Sequence, residues 1–452
     1  MNSLRRGVAM VAVLVVMMAA MLVATSLLSI ATSNAAVTSG EVDRVQARAL
    51  AMSGVEAAMA LLQEQRDMIL SGNSPELDDE FVIYDEAGRL GVVRFLEHGA
   101  DGELLVAEGG KLDLNSVSES QLVATGMVDE AMAAAIVEAR GQLGEFASIA
   151  DLLDVPGVTA DILWGPMEEI EVIPPPRDIG ERIAARLVGD EVRGLSDVVT
   201  VWSVSVPIRR DGAARENLNT PRAEKFDEVI ELALRAISDA GETFTDENVN
   251  ASLLSLDVPV MDLVPVIDAM CFNEDEFDYG KLDINSATYE ALVAMDAMTA
   301  DAPAHIVRAR KSLDSEMRAS PLWLVSEGVL ERGDYAKLAG NISTRCWTWR
   351  VRVAGGEVAI EDADGPLTSP IVYEAVIDLA GPRARIAYLR DITHLEIAAH
   401  WAVEPPPNPP EEAGEPIEDP EGEVIHNSSP GAGAAVPRRR GGRWRPTSTA
   451  IP

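Results

Sequence analysis

Residues 5–30 read RRGVAMVAVLVVMMAAMLVATSLLSI, and no charged residue occurs between positions 8 and 40. An uncharged apolar run of about 18 residues or more is long enough to span a bilayer as a helix. Arg5 and Arg6 precede the run, so the short N-terminus is expected in the cytoplasm and the rest of the chain on the other side. The alternative is a cleaved secretory signal peptide, with residues 32–36 as a small-residue cleavage site.

The run continues into a stretch whose apolar residues recur three or four positions apart, which is the spacing of one helix face. The helix is therefore predicted to extend to about Gln65, first apolar all round and then amphipathic. The residues of the predicted apolar face are Val42, Val45, Ala49, Met52, Val55, Ala58, Met59 and Leu62.

A short basic leader that ends in Gly7, followed by this helix, resembles the N-terminus of type IV pilins and pseudopilins. The resemblance implies that a prepilin peptidase cuts between Gly7 and Val8, and that the long helix packs into a filament. Residues 47–58, which include Glu56, are similar to the pilin helix where it leaves the membrane. Most pilins carry Glu at the fifth mature position. Ala12 stands there in this sequence, which is similar to the K-type minor pseudopilin of the type II secretion system.

The chain of 452 residues is strongly acidic, with a formal net charge of −37. Binding to phosphate is carried by Lys and Arg, so this charge makes nucleic acid an unexpected partner and fits a soluble exported body. The two cysteines are Cys271 and Cys346. A disulfide is permitted outside the cytoplasm, and the sequence leaves open whether these residues form one or are two buried thiols.

Short runs with strand character lie on both sides of a long helical region. They are residues 81–84, 92–96 and 104–106 before it, and residues 347–353, 371–379 and 385–389 after it. These patterns predict an α+β fold, in which an N-terminal transmembrane pilin-like helix accompanies a pseudopilin antiparallel sheet that is split by a large helical insertion.

The chain is accordingly divided into six segments. They are a leader at 1–7, the pilin helix at 8–66, the first part of the sheet at 67–111, the helical insertion at 112–345, the C-terminal part of the sheet at 346–402 and a tail at 403–452. The tail is rich in Pro and Glu and then in Arg, so its composition predicts disorder. Its Arg run either contacts an acidic partner or lipid, or is simply solvated.

An internal repeat lies within the predicted insertion. KLDLNS at residues 111–116 recurs as KLDINS at 281–286, and a looser copy is ENLNT at 216–220. Each copy precedes a helical pattern, so its polar residues are predicted to cap the following helix, with Ser116 and Glu119 as a capping box. The predicted N-cap residues are Asn115, Ser116, Asn219, Thr220, Asn285 and Ser286.

The first copy and the residues after it, up to position 158, resemble a helix-hairpin-helix motif. In that family a glycine-rich hairpin at a helix start holds a DNA phosphate with its backbone N–H groups. The corresponding residues 125–129 lack paired glycines and place Asp129 where a phosphate would bind. The second copy has no glycine at 295–301, and only 155–158 retain a usable turn, so DNA binding is not expected. K-type pseudopilins carry similar degenerate copies in a large helical insertion.

The sequence contains no nucleophile elbow, zinc signature or phosphate loop, so no catalytic site is predicted. Two acidic segments are candidates for calcium, a hard cation that takes oxygen ligands. Calcium is bound in such loops among pseudopilins, so the resemblance makes it a candidate cofactor, and the alternative is a solvated acidic turn. The candidate ligands are Asp275, Glu276 and Asp278 in the first segment, and Asp362 and Asp364 in the second.

The order of leader, helix, sheet, helical insertion and sheet resembles a K-type minor pseudopilin, which implies a structural protein and not an enzyme. The implied location is the inner membrane, crossed once, with the N-terminus in the cytoplasm and the body in the periplasm. The implied partners are the I- and J-type minor pseudopilins, the major pseudopilin, the prepilin peptidase and the inner-membrane secretion platform. The alternatives are a membrane-anchored DNA receptor for uptake and a minor pilin of a type IV pilus.

Overall fold

The computed structural model describes residues 2–86, 88–98, 103–165, 194–220, 228–363 and 365–393. The predicted tail at 403–452 and the candidate calcium ligand Asp364 lie outside the described residues.

Helices and short strands alternate along the middle of the chain, and long strands flank them. The helices are α1 (Asn2–Glu64), α2 (Arg66–Leu70), α3 (Glu119–Ala124), α4 (Glu130–Leu143), α5 (Ala160–Trp164), α6 (Leu195–Val198), α7 (Glu228–Asp239), α8 (Asp246–Leu254), α9 (Val264–Asp268), α10 (Tyr289–Val293), α11 (Ala302–Ala309), α12 (Ser315–Arg318), α13 (Trp323–Ser326) and α14 (Arg332–Leu338). Short 3₁₀ helices occupy Glu108–Gly110, Ile149–Asp154, Val260–Leu263 and Ile360–Asp362. The strands are β1 (Glu80–Glu86), β2 (Arg89–Leu96), β3 (Leu105–Ala107), β4 (Leu112–Asp113), β5 (Val199–Thr200), β6 (Glu216–Asn217), β7 (Met270–Cys271), β8 (Leu282–Asp283), β9 (Ile342–Ser343), β10 (Thr348–Ala359), β11 (Thr368–Asp378) and β12 (Arg385–Asp391).

The six longer strands form one antiparallel sheet in the order β1-β2-β10-β11-β12, with β3 also paired to β10. β10 joins the two halves, because it pairs with β2 and β3 on one side and with β11 on the other. β1 to β3 precede the helical segments in the chain, and β10 to β12 follow them. The predicted α+β fold, with helical segments between the strands of one sheet, is confirmed.

The C-terminal half of α1 packs on β2, β10 and β11. Two glycines permit the close approach, because a Cβ at Gly54 would overlap the side chains of Val93 and Val353, and one at Gly355 would overlap the backbone of Ala51. The helix residues buried in this contact are Ala47, Leu50, Ala51, Val55, Ala58 and Leu62.

The buried face of α1 differs from the predicted face at its N-terminal end. Val42 and Val45 are 50% and 67% exposed, and Ala49 is exposed as well. The helix backbone at Ala51 lies directly on Gly355, and with the helix in this rotation Val42, Val45 and Ala49 face away from the sheet. These three residues of the predicted apolar face therefore lie outside the contact with the sheet.

The helical region contains three units of one design. Each begins with a two-residue strand from the sequence repeat and ends with a second short strand that pairs with it in parallel. The pairs are β4 with β5, β6 with β7 and β8 with β9. We call residues 112–200, 216–271 and 282–343 modules 1, 2 and 3. One continuous apolar core runs through all three modules, and a second core lies between α1 and the sheet.

The predicted helix caps were placed too early in modules 1 and 3. The N-cap of α3 is Ser118, which forms a capping box with Gln121, and the N-cap of α10 is Thr288. Ser116 and Ser286 occupy the preceding turn, where their hydroxyls donate to the carboxylates of Asp113 and Asp283, respectively. In module 2 the Thr220 hydroxyl donates to the Asn217 carbonyl, and residues 221–227, where the predicted helix would begin, lie outside the described residues.

Candidate functional site

The described side chains between Met17 and Ile30 of α1 form an exposed apolar surface. The large apolar side chains described between Met17 and Ile30 are 54% to 70% exposed. Lipid is the environment in which such a surface is stable. Among the described residues one helix segment, Thr38–Glu64, is long and apolar enough to cross a membrane by its length and composition, and 39% of its most apolar part is buried inside the protein. The chain thus has one long apolar N-terminal helix, which is compatible with a single membrane span or a signal sequence.

Sequence reasoning placed its processing and filament residues on this helix. Gly7, Val8 and Ala12 all lie within α1, which begins at Asn2. Glu56 lies on the exposed side of the helix, away from the sheet. The three N-terminal positions are thus part of the apolar segment, whereas Glu56 is beside the folded body.

The asparagine residues of the repeats, predicted as caps, instead hold distant loops. The Asn115 side-chain amide donates to the Phe146 carbonyl at 3.0 Å, and its oxygen accepts from the Phe146 N–H at 2.7 Å. Asn219 makes the same pair of bonds to Phe244, at 2.9 and 3.1 Å. We call this arrangement the asparagine clamp.

The third clamp, at Asn285, reaches further than the other two. Its amide nitrogen donates to the carbonyls of Arg318 at 2.9 Å, Gly72 at 3.0 Å and Thr344 at 3.3 Å. Its oxygen accepts from the Trp323 indole N–H at 3.2 Å. Because Gly72 follows α2, this one side chain joins module 3 to the end of the N-terminal helical segment.

An arginine that sequence reasoning missed supports the turn before each capped helix in modules 1 and 3. Arg140 donates to the carbonyls of Leu114 at 3.0 Å and Val117 at 2.8 Å. Arg310 donates to the carbonyls of Ile284 at 3.4 Å and Ala287 at 2.6 Å. Both arginines stand at the same distance along the chain from their copies of the repeat, so aligning the copies beyond the hexapeptide finds them.

The hairpins of module 1 place acids at the helix starts that follow them. Gly126, with φ of 72°, makes the turn after α3, and the Asp129 carboxylate accepts from the Met132 N–H at 2.8 Å at the start of α4. In the second hairpin Gly157 has φ of 93°, and α5 carries Asp161 in its first turn. A phosphate at either helix start would therefore meet a carboxylate, and at α4 that carboxylate already occupies a backbone donor.

The hairpin of module 3 keeps its turn without glycine. Ala297 adopts φ of 63°, a left-handed conformation in which a side chain is unfavourable, and Pro303 lies in the first turn of the following helix α11. The missing N–H of a proline removes a donor from the helix start, so this hairpin too is poorly equipped to hold a phosphate.

The comparisons with known proteins agree with this geometry. Residues 108–163 match the family model of the helix-hairpin-helix motif. No curated protein and no solved structure matches the chain. The chain therefore contains a helix-hairpin-helix motif together with a long apolar N-terminal helix, and the interpretation of residues up to 158 as such a motif is confirmed.

A buried ionic cluster joins module 1 to the sheet. Glu108 accepts from Arg350 at 2.7 Å and lies 3.4 Å from the Lys111 ammonium, and it also accepts from the Thr200 hydroxyl. Arg350 in turn contacts Glu374 at 2.9 Å. Burial alone would raise the pKa of the Glu108 carboxyl, but the charges of Arg350 and Lys111 outweigh it and lower the pKa to about 2. The carboxylate is therefore charged at neutral pH and serves as the centre of this junction.

The predicted calcium ligands of the first acidic segment are not brought together as a metal site. Asp275 and Glu276 are exposed, whereas the Asp278 carboxylate contacts Lys281 at 3.2 Å and accepts from the Asn273 side-chain amide. Among the described residues, which do not include Asp364, no group of three His, Cys, Asp or Glu side chains is arranged to hold a metal ion. The ammonium and amide already occupy the Asp278 oxygens that a cation would need.

The two cysteines do not form the disulfide that the sequence left open. Both are free thiols, Cys346 buried and Cys271 half-buried in β7. The Cys346 thiol donates to the Thr348 carbonyl at 3.0 Å, and its sulfur accepts from the Gly109 N–H at 3.3 Å. Burial raises the pKa of this thiol, so it is an unreactive part of the packing between the sheet and the start of module 1.

Proposed function

We propose that this protein is a K-type minor pseudopilin of a type II secretion system. It is a structural component rather than an enzyme, held in the inner membrane by α1 with its folded body in the periplasm. It sits at the pseudopilus tip with the I- and J-type subunits, above the major pseudopilin, and helps to start the filament on the inner-membrane secretion platform. The observation that carries the proposal is a long helix, exposed and apolar between Met17 and Ile30 and packed on an antiparallel sheet in its C-terminal half, with helical segments that include one helix-hairpin-helix motif between the strands.

A position at the tip is supported by Ala12 and by the bulk of the modules. In a pilin-like filament the Glu at the fifth mature position of one subunit can pair with the N-terminal amine of the subunit ahead. An unpaired carboxylate inside the membrane costs about 2.5 kcal/mol or more, so it is useful only where that partner exists. The first subunit has none ahead of it, and Ala12 avoids the penalty. Three modules inserted into one sheet would also be difficult to stack repeatedly along a thin fibre.

The test of the proposal is the N-terminus of the mature protein. We expect mass analysis of the membrane-extracted chain to show Val8 as its first residue, because Gly7 ends the basic leader. The same analysis in cells without prepilin peptidase should show the uncut leader. A first residue near Ala35 would instead identify an ordinary signal peptide and contradict the pseudopilin proposal.

A second candidate function, a membrane-anchored DNA receptor, is favoured by the motif match at residues 108–163. The acids at the helix starts and the net charge of −37 weigh against it. We expect no gel shift of duplex DNA by micromolar full-length protein in detergent at low salt. Salt-sensitive binding that is lost on changing Gly126 or Gly157 would contradict this expectation and favour the receptor.

A further inference from the structure

β1 is an end strand of the sheet. It pairs with β2, and no strand in the described part of the chain pairs with its other side. The free side of an edge strand presents a row of backbone N–H and C=O groups, to which an extended segment of another protein can add as a further strand. The properties of this edge therefore determine which segment it can accept.

A bulge in β1 places two aliphatic side chains side by side on the outside. The pairing with β2 shifts between Val82 and Tyr84, so Ile83 is the extra residue. Phe81 and Tyr84 consequently both pack on the core between α1 and the sheet, and the Phe81 ring meets Phe95 edge-on at 5.7 Å. Val82 and Ile83 are left 54% and 45% exposed. A regular strand would have turned one of these two residues inward.

Carboxylates stand at both ends of this aliphatic pair. Glu80 contacts Arg94 at 2.6 Å, whereas the other acids of the edge are exposed. Two β1 edges from two copies of the chain would therefore bring like charges together, which disfavours their pairing. The exposed acids are Asp78 and Asp79 before the strand and Asp85 and Glu86 at its end.

The opposite edge of the same sheet has the reverse charge. β12 reads RIAYLRD, with Arg385 at its start, Arg390 near its end and Leu389 40% exposed between them. Laid antiparallel to β1 with Ile83 left unpaired, such a sequence brings its two arginines opposite Glu80 and Glu86. The sheet thus contains an example of a strand whose pattern is complementary to the β1 edge.

We propose that the β1 edge is a docking site for an extended strand of another protein, one that carries Arg or Lys at both ends and aliphatic residues between. The strand adds to the sheet by backbone hydrogen bonds, its aliphatic side chains cover Val82 and Ile83, and its cations pair with the acids at either end. The proposal concerns a surface away from the membrane helix and does not depend on the pseudopilin proposal.

The test uses a labelled nine-residue peptide with the sequence of residues 383–391, added to the full-length protein in detergent at low salt. We expect saturable binding by fluorescence anisotropy, and no binding of a second peptide in which the three arginines are glutamates. Reversing two charges at the edge, Asp85→Lys with Glu86→Lys, should weaken binding at least tenfold. The matched control reverses two exposed acids on α4, Glu130→Lys with Glu138→Lys, and should change the affinity less than twofold.

Hydrogen exchange distinguishes strand addition from simple charge attraction. We expect the peptide to slow exchange of the backbone amides of residues 80–86 and to leave those of β12 unchanged. Equal weakening by the edge and control variants, or binding without protection of β1, would overturn the proposal. So would sedimentation that shows a dimer of this chain lost in the Asp85→Lys, Glu86→Lys variant, because the occupant would then be a second copy.

Discussion

Where α1 meets the sheet, the two surfaces are apolar and close, whereas the turns of the helical modules are held by polar side chains. α1 lies on β10 without space for a side chain at Gly54 or Gly355. In the modules, Asn115 and Asn219 each form paired hydrogen bonds to one residue of a loop far along the chain. Asn285 bonds to the carbonyls of three separate segments and to the Trp323 indole. At the contact of α1 with the sheet, the available space therefore limits which residues are tolerated. In the turns of the modules, the limit is the set of hydrogen bonds that the side chain must form.

The boundary between the two regions uses a third kind of contact. Glu108 and Lys111 lie just before module 1, Arg350 lies in β10 and Glu374 in β11, and together they form the buried ionic cluster. Such a cluster adds little stability over an apolar contact of the same size, but removal of one member leaves an uncompensated buried charge. The boundary should therefore be more sensitive to substitution than the clamps and less sensitive than the helix–sheet contact.

The largest effect is expected for Gly355→Val. Its Cβ would overlap backbone atoms of Ala51, which cannot move without displacing α1 from the sheet. We expect the free energy of unfolding of the detergent-solubilised protein, followed by tryptophan fluorescence in denaturant, to fall by more than about 4 kcal/mol. The control is Gly141→Val on the open side of α4, where no atom lies near the added Cβ. It should change the free energy of unfolding by less than about 0.5 kcal/mol. Similar losses for both variants would remove the distinction between close packing and open surface.

The next effect is expected for Glu108→Gln, which leaves Arg350 and Lys111 buried without their shared carboxylate. Breaking a buried pair in this way costs about 3 kcal/mol. The matched control is Asp334→Asn, which removes an exposed ion pair with Lys337 at 2.9 Å and should cost about 1 kcal/mol or less. If the two variants lose the same stability, the ionic cluster is not a sensitive boundary.

The same variant has a pH signature. The pKa of Glu108 in the folded protein is about 2, below its ordinary value of 4.5, because Arg350 and Lys111 favour the charged form despite burial. Its contribution to stability is therefore present above pH 4.5 and is lost as the pH falls from there toward 2. We expect the difference in unfolding free energy between wild type and Glu108→Gln to shrink over this range, whereas a constant difference would contradict the assignment.

The elements that sequence reasoning found are those with local signals. An uninterrupted apolar run gives α1, and short runs with strand character give the strands on both sides of the helical region without knowledge of their partners. The rotation of α1 about its axis could not be found in the same way. It is set by Gly355, about 300 residues further along the chain, and nothing near Val42 or Val45 indicates that these valines face outward.

The repeats also show that sequence reasoning finds local features but not partners that lie far along the chain. The motif KLD-x-NS predicted a helix nearby, and helices do follow, but capping is a local explanation for residues whose partners are remote. The Asn115 side chain bonds to Phe146, 31 positions away, and the β4 partner β5 lies still further along the chain. Only a three-dimensional arrangement distinguishes an asparagine that caps from one that clamps.

The smallest effects are expected for the asparagine clamps, and they should differ between modules. Each net hydrogen bond contributes about 1 kcal/mol, so Asn115→Ala should cost about 1 to 2 kcal/mol. Asn285→Ala should cost somewhat more, because its amide also contacts Gly72, Thr344 and the Trp323 indole. Asn341→Ala is the control, since this asparagine is exposed and is part of no clamp, and its substitution should cost less than about 0.5 kcal/mol.

Native-state hydrogen exchange shows where in the protein these variants lose stability, and so whether a clamp acts within its own module or beyond it. Asn115→Ala removes hydrogen bonds within module 1, so we expect faster amide exchange near residue 146 and unchanged exchange elsewhere. Asn285→Ala also removes the hydrogen bond to the Gly72 carbonyl. Gly72 follows α2 and lies against the Arg318 backbone, so amide exchange should become faster at residues 66–73 as well as in module 3. This is the one clamp that reaches across the boundary, and its amide nitrogen is the connecting donor. If residues 66–73 keep their protection in Asn285→Ala, the helical segment is held in place by its apolar contacts alone, and the polar clamps act only within their own modules.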